Sequence, residues 1–184
     1  TGGAGFIGCH LAAKLLDGDY EIDLLDNFSR GVNDVQLSTL SKNEKIKLIN
    51  ADLLSSDIQD RLLDDDYAYI YHLAAVIGVQ HVLKAPYNVL IQNFILLQNA
   101  LKIAKRQKML ERFIFTSTSE VYAGTLDYYG LEFPTREKTP LTVTDLHEAR
   151  TSYMLSKIYG EAMCLQSNLP VTIIRPHNIY GPRM

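Results

Sequence analysis

Tyr153 and Lys157 stand four residues apart in TSYMLSK (151–157). On a helix that spacing puts a phenol and an ammonium on one face. A free tyrosine ionises near pKa 10, so at neutrality only roughly one in a thousand is phenolate. An adjacent cation favours the charged form and makes the ring oxygen a usable general base. The alternative is a surface pair with its ring resting on the core. A second polar group lies at TSTSEVY (116–122), where Thr118 and Ser119 offer hydroxyls to a substrate oxygen and Glu120 offers a carboxyl group. A strand end capped by its own side chains is the alternative there. Third, Gly2, Gly5 and Gly8 of TGGAGFIG fit G-x-x-G-x-x-G, the spacing of a loop that cradles a pyrophosphate between a strand and the helix it starts. A simple tight turn would show the same glycines.

These groups need elements to hold them. Ile7, Leu11 and Leu15 recur at helical spacing, and Asp17-Gly18 stops that helix. Short apolar runs predict strands over 20–26, 46–52, 67–75, 112–119 and 171–176. Between them, helices are expected over about 33–43, 55–63 and 149–167, with a long one carrying the stripe Leu90, Phe94, Leu97, Leu101 and Ala104. Strands that are continuously apolar are buried on both faces, as in a parallel sheet covered by helices. The expected architecture is a doubly wound parallel α/β sheet. Its glycine loop has no strand before it, so a short apolar strand of about five residues is expected ahead of Thr1.

Ligands bind such a sheet at the carboxyl ends of its strands. Asp26 ends the 20–26 strand, 18 residues past Gly8. A carboxylate there accepts hydrogen bonds from both ribose hydroxyls of an adenosine and repels a 2′-phosphate, which favours NAD over NADP. Arg30 nearby keeps NADP open.

The 184 residues suit one domain, with 47% apolar and 21% charged residues, and the net charge of −3 points to neither nucleic acid nor an acidic membrane. The basic cluster Lys102, Lys105, Arg106, Lys108 and Arg112 is read as a helix end, where cations favour the negative pole of the dipole. Cys9 and Cys164 form no disulfide framework, and no leader or long apolar run is present, so a reducing, cytoplasmic compartment is expected. No metal is expected: Asp64, Asp65 and Asp66 read as a polar turn, and His10, His81 and His147 lack ligand spacing. His72 is read as a packed or hydrogen-bonded strand residue.

In order along the chain, TGGAGFIG (1–8), DN (26–27), DL (52–53), HLAA (72–75), Asn93, TSTSEVY (116–122), YMLSK (153–157) and RPHNIYGPRM (175–184) resemble the extended short-chain dehydrogenase/reductases of the NAD-dependent nucleotide-sugar epimerase/dehydratase family. The resemblance implies a Rossmann fold with NAD as cofactor. Gly2, Gly5, Phe6, Ile7 and Gly8 would hold the pyrophosphate, and Asp26 and Asn27 the adenosine ribose. Asp52 and Leu53 would flank the adenine, and Leu73, Ala74 and Ala75 would line the middle of the cofactor. Asn93 and Pro176 also belong to the implied cofactor site. Tyr153 would be the base, and Lys157 would bind the nicotinamide ribose and lower the tyrosine pKa. Thr118 takes the place of the catalytic Ser/Thr, with Ser119 and Asn178 on the nucleotide-sugar side.

The implied reaction passes through a 4-keto sugar and branches to epimerisation, dehydration or decarboxylation. Thr118-Ser119-Glu120 resembles the T-S-E of nucleotide-sugar decarboxylases and GDP-mannose-type dehydratases; dTDP-glucose-type dehydratases carry T-D-E. Glu120 beside the sugar C5 tilts the reading toward chemistry beyond simple epimerisation. VYAG and the tyrosine-rich 124–136 segment depart from the pattern and leave the substrate open. The family usually adds a smaller substrate lobe after such an ending, and pairs as a homodimer through helices matching 88–106 and 150–167. A non-catalytic NAD-binding sensor, or a reductase on the same scaffold, are the alternatives.

Overall fold

The computed structural model describes residues 1–62 and 66–184. Asp64 and Asp65, read above as part of a turn, lie outside the described residues. The apolar runs become strands β1 (Ile22–Asp26), β2 (Ile46–Asn50), β3 (Tyr69–His72), β4 (Arg112–Thr116) and β5 (Val171–Ile174). Between them lie α1 (Phe6–Asp17), α2 (Val35–Leu40), α3 (Val79–Lys84), α4 (Pro86–Arg106), α5 (Ala123–Tyr129) and α6 (Thr151–Leu165), with 3-10 turns at Asp60–Leu62 and Ser119–Tyr122.

The strands form two parallel ladders. β1 runs beside β2 with Asp26 opposite Asn50, and β4 lies between β3 and β5 with His72 opposite Phe115 and Thr116 opposite Ile174. All five carboxyl ends therefore reach one edge. The sheet is divided between β1 and β3. Residues 1–3 bridge the two ladders there: Gly2 and Gly3 N–H donate to Leu25 O at 2.9 and 3.2 Å, and the Thr1 amine donates to Tyr71 O at 2.8 Å. Behind Thr1 an apolar cleft of about 480 Å³ separates β1 from β3, lined by Leu11, Leu15, Leu24, Ile70 and Ile103 among others.

Both faces of the sheet are covered. Neighbouring residues of a strand point to opposite faces. Leu24 packs with Ala4, Cys9, Ala12 and Leu37 under α1 and α2, whereas Leu25 joins Phe113, Phe115, Leu97, Leu101 and Cys164 under α4 and α6. The small residues Gly8, Cys9 and Ala12 form the buried face of α1. Ile7 and Leu11 of the predicted stripe face the two clefts instead. Along α4, Leu97, Leu101 and Ala104 are buried as expected, while Leu90 and Phe94 are half-buried, with Phe94 against Tyr159 of α6. Pro86 opens α4, where its missing N–H breaks no helical bond, and Lys105 and Arg106 of the basic cluster occupy its last turn.

The differences from expectation are local. Of the expected 55–63 helix, the described residues 55–62 form turns and one 3-10 segment, and the 33–43 helix is reduced to six residues capped by Asp34, whose carboxylate accepts from Leu37 N–H. Two short helices, α3 and α5, were not foreseen. Among the described residues no helix is long and apolar enough to cross a membrane.

Candidate functional site

A cleft of about 1050 Å³ runs along the carboxyl edge of the sheet. At the glycine-loop end it is lined by Gly2, Gly5, Phe6, Ile7, Gly8, Asp26, Asn27, Asp52, Leu53, Leu73, Ala74 and Ala75. Its other end gathers Thr118, Glu120, Tyr153, Lys157, Pro176 and Asn178. Two of the predicted residues do not line it. The Asn93 side chain accepts from Val76 N–H at 2.7 Å and donates to Val76 O at 3.1 Å, so it staples the 73–76 wall to α4. Ser119 N–H donates to Pro176 O, tying the 117–119 segment to the chain after β5.

The glycine loop is built for an anion. Gly2 sits at φ +74°, which L side chains rarely adopt. A Cβ at Gly8 would collide with Gly2 O and lie 2.8 Å from Gly3 Cα. α1 has no side-chain cap at Gly5 and no acid in its first turn. Its first ladder bond is Cys9 N–H to Gly5 O, so the N–H groups of Phe6, Ile7 and Gly8 have no partner within the helix and suit a phosphate. Asp26 is 8% exposed and preset by the backbone: Oδ2 accepts from Ala4 N–H at 3.0 Å and Oδ1 from Phe28 N–H at 2.8 Å. Each oxygen keeps a second acceptor site. Asn27 Nδ2 donates to Asp52 Oδ2, joining the two groups expected around the adenosine. The residues present fit NAD.

At the other end, Tyr153 and Lys157 share a face of α6. Thr118 caps the turn that follows, its Oγ1 accepting from Glu120 N–H at 3.2 Å. The expected lowering of the Tyr153 pKa by Lys157 is not found. Burial pushes the phenol up to about 12, the Glu120 carboxylate adds to the rise, and a hydrogen bond with Thr118 opposes it. The ammonium is engaged elsewhere: Nζ donates to Thr116 O at 2.7 Å, 5.0 Å from the Phe115 ring centre and 5.8 Å from that of Tyr153. Burial in turn lowers Lys157 to about 8. Below about pH 8 both folded and unfolded chains hold this proton; between about 8 and the ordinary 10.5 only the unfolded chain does. The state that binds more protons loses ground as pH rises. The stability of the wild type relative to Lys157→Met should therefore increase with pH across that window. Urea midpoints measured at its two ends test this, and a flat difference would remove the buried-ammonium reading.

His72 is packed, as expected. Its ring is stacked with Phe113 and Phe115, Nδ1 meets Thr1 Oγ1 at 2.9 Å, and burial, reinforced by Lys157, holds its pKa well below the usual range.

One cluster escaped the sequence reading. Glu161 of α6, 3% exposed, accepts from Arg175 Nε at 2.9 Å, from Arg175 Nη2 at 2.6 Å and from Ser117 Oγ at 2.5 Å. Arg175 Nη1 also donates to Tyr122 Oη and to Glu137 O. The network locks α6, the 117–122 turn and the end of β5 together around Thr118. Glu161→Ala leaves a half-buried guanidinium without its carboxylate, which should cost roughly 3 kcal/mol of unfolding free energy, read from the denaturant midpoint. Fourteen residues separate Glu161 from Arg175, so no local spacing announces the pair.

This glycine loop, with a carboxylate ending the next strand and Tyr-Lys beside a Thr-capped turn, is the arrangement expected from the resemblance. The model of the NAD dependent epimerase/dehydratase family matches residues 1–184. The chain belongs to that family. A UDP-N-acetyl-alpha-D-glucosaminuronate decarboxylase of Bacillus cytotoxicus is 35% identical over 100% of this chain and 54% of its own length. UDP-glucuronic acid decarboxylase 1 of Arabidopsis thaliana is 35% identical over 100% of this chain and 40% of its own length. Among solved structures, the UDP-glucuronic acid 4-epimerase from Bacillus cereus in complex with NAD superposes with a TM-score of 0.77 at 28% identity, over 100% of this chain and 57% of that one. The chain thus spans about half the length of the relatives it matches. The fold is the parallel Rossmann-type α/β fold of these epimerases, and the family's cofactor is NAD.

Proposed function

We propose that the protein oxidises a nucleotide sugar at C4 with NAD and resolves the resulting 4-keto sugar by epimerisation or elimination. The observation that carries this reading is the convergence of Thr118, Glu120, Tyr153 and Lys157 at one end of a cleft whose other end fits a dinucleotide. Thr118 Oγ1 orients the sugar 4-hydroxyl, and Tyr153 Oη takes its proton. Lys157, its ammonium on Thr116 O and 5.8 Å from the Tyr153 ring centre, holds the ribose of the cofactor. Bound NAD supplies the hydride acceptor for C4. Burial and Glu120 lift the phenol to about 12, so Tyr153 first releases its own proton to solvent and then, as the phenolate, takes the one from the 4-hydroxyl. The Lys157 ammonium beside the ring favours that phenolate. Asn178 faces the phosphates of the substrate.

A second reading, decarboxylation of a nucleotide uronic acid, is favoured by two observations. Glu120 lines the cleft with the base, where a carboxylate can move a proton at C5. Both relatives at 35% identity are named as uronate decarboxylases. Homodimer formation belongs with the proposal as well: α4 packs along α6, and Tyr87, Ile91, Tyr159 and Leu165 of these helices are exposed. The test is to incubate the full-length protein and NAD with UDP-, GDP- and dTDP-sugars, uronic acids included, and to separate the products. Conversion of at least one is expected; an untouched panel would end the proposal.

A further inference from the structure

Three stretches of backbone that wall the cofactor end of the cleft meet on a single guanidinium. The Arg183 side chain is 9% exposed. Its Nη1 donates to Gly5 O at 3.2 Å, and its Nη2 to Ala4 O at 3.3 Å and Val32 O at 2.9 Å. Its Nε donates to Asp34 Oδ2 at 2.5 Å. The glycine loop, the 27–34 loop that follows Asp26, and the segment after β5 are thus held by one residue. Arg183 itself adopts φ +71°, in the left-handed region, a local strain that the surrounding bonds must hold.

The same segment is fastened at its start. Arg175 grips Glu161 and Tyr122 beside the catalytic turn. Between the two arginines, Pro176, His177, Asn178, Ile179 and Tyr180 line the cleft. Further contacts seat it on α1: His10 Nε2 meets Pro182 O at 3.0 Å, and Gly181 lies against the Phe6 ring. Residues 175–183 therefore form a strap along the cleft, pinned by one arginine at the catalytic end and by the other at the cofactor end.

We propose that Arg183 is a positioning residue that locks this strap onto the glycine loop and thereby sets how fast NAD leaves. The inference rests on the NAD assignment and goes beyond it. A dinucleotide seated between the glycine loop and the 27–34 loop lies against two walls that Arg183 bonds together, so loosening that tie should ease its departure. Asp34 is fixed to receive it, because its other oxygen caps α2 through Leu37 N–H at 2.9 Å.

Two substitutions separate the latch from general support of the fold. Arg183→Lys keeps the charge but loses the planar fork that reaches several acceptors at once. Asp34→Asn removes the ionic partner and retains the α2 cap, since asparagine caps as well as aspartate. In stopped-flow displacement of NADH from the full-length protein, each should raise the dissociation rate about tenfold, the equivalent of roughly 1.4 kcal/mol. The double variant should add little to either, because both remove the same pair. The melting midpoint without cofactor should fall too little to account for the change. Unchanged dissociation rates in both variants would overturn the latch while leaving the NAD assignment standing. A wild-type protein that binds no NAD or NADH would overturn the assignment, and the latch with it.

Discussion

Tyr153→Phe should lower turnover by roughly a thousandfold, the middle of the range that a positioned general base contributes, and leave cofactor binding unchanged. The ring stays: it lies along α6 with the Lys157 ammonium 5.8 Å from its centre, and phenylalanine fills the same space. Only the oxygen is lost, and with it the proposed acceptor for the 4-hydroxyl proton. Steady-state kinetics on the converted sugar, paired with calorimetric titration of NAD, separate the two effects. A variant with wild-type turnover would mean that another group takes the proton.

The second large effect is expected at the opposite end of the cleft. Gly8→Ala places a Cβ against Gly2 O and 2.8 Å from Gly3 Cα and O, all of it backbone with no flexible side chain to give way. Overpacking of this kind costs about 3 kcal/mol. If the loop absorbs it by moving off the pyrophosphate, NAD affinity should fall roughly a hundredfold. Gly5→Ala is the graded control, because its Cβ meets only Gly2 O, at 3.3 Å, and the loss should be far smaller. Titration of NAD into both variants gives the order; equal affinities would remove the glycine loop from the cofactor site.

The parts of this molecule legible in the sequence are those governed by short-range pattern. Leu24-Leu25 and Phe113-Ile114-Phe115 mark buried strands because both faces of a covered parallel sheet are apolar. The glycine spacing and the Tyr-Lys spacing carry their geometry within one turn of chain. What stayed hidden depends on tertiary packing. α3 and α5 are short and lack side-chain caps; α5 forms where Gly124 comes so close to Thr142 O that any side chain would collide. Asn93 interrupts an apolar stripe because it bonds the backbone of Val76 across the helix–loop interface. Arg175 and Glu161 meet only because β5 lies beside α6, and Arg183 reaches Ala4 across the length of the chain. The raised pKa of Tyr153 has the same origin: burial and then Glu120 lift it, while the ammonium that sequence spacing places near it is taken by the carbonyl of Thr116, supplied by β4.

Isotopic labelling tests the proposed hydride removal from C4 beside Tyr153. A nucleotide sugar converted by the full-length protein, carrying deuterium at C4, should be mixed in a single turnover with protein and NAD. Transient near-ultraviolet absorbance of reduced nicotinamide is expected, with deuterium recoverable in that ring and slower formation than with the unlabelled sugar. Tyr153→Phe should abolish the transient. Conversion of the sugar with no reduced cofactor and no isotope effect would contradict hydride removal from C4.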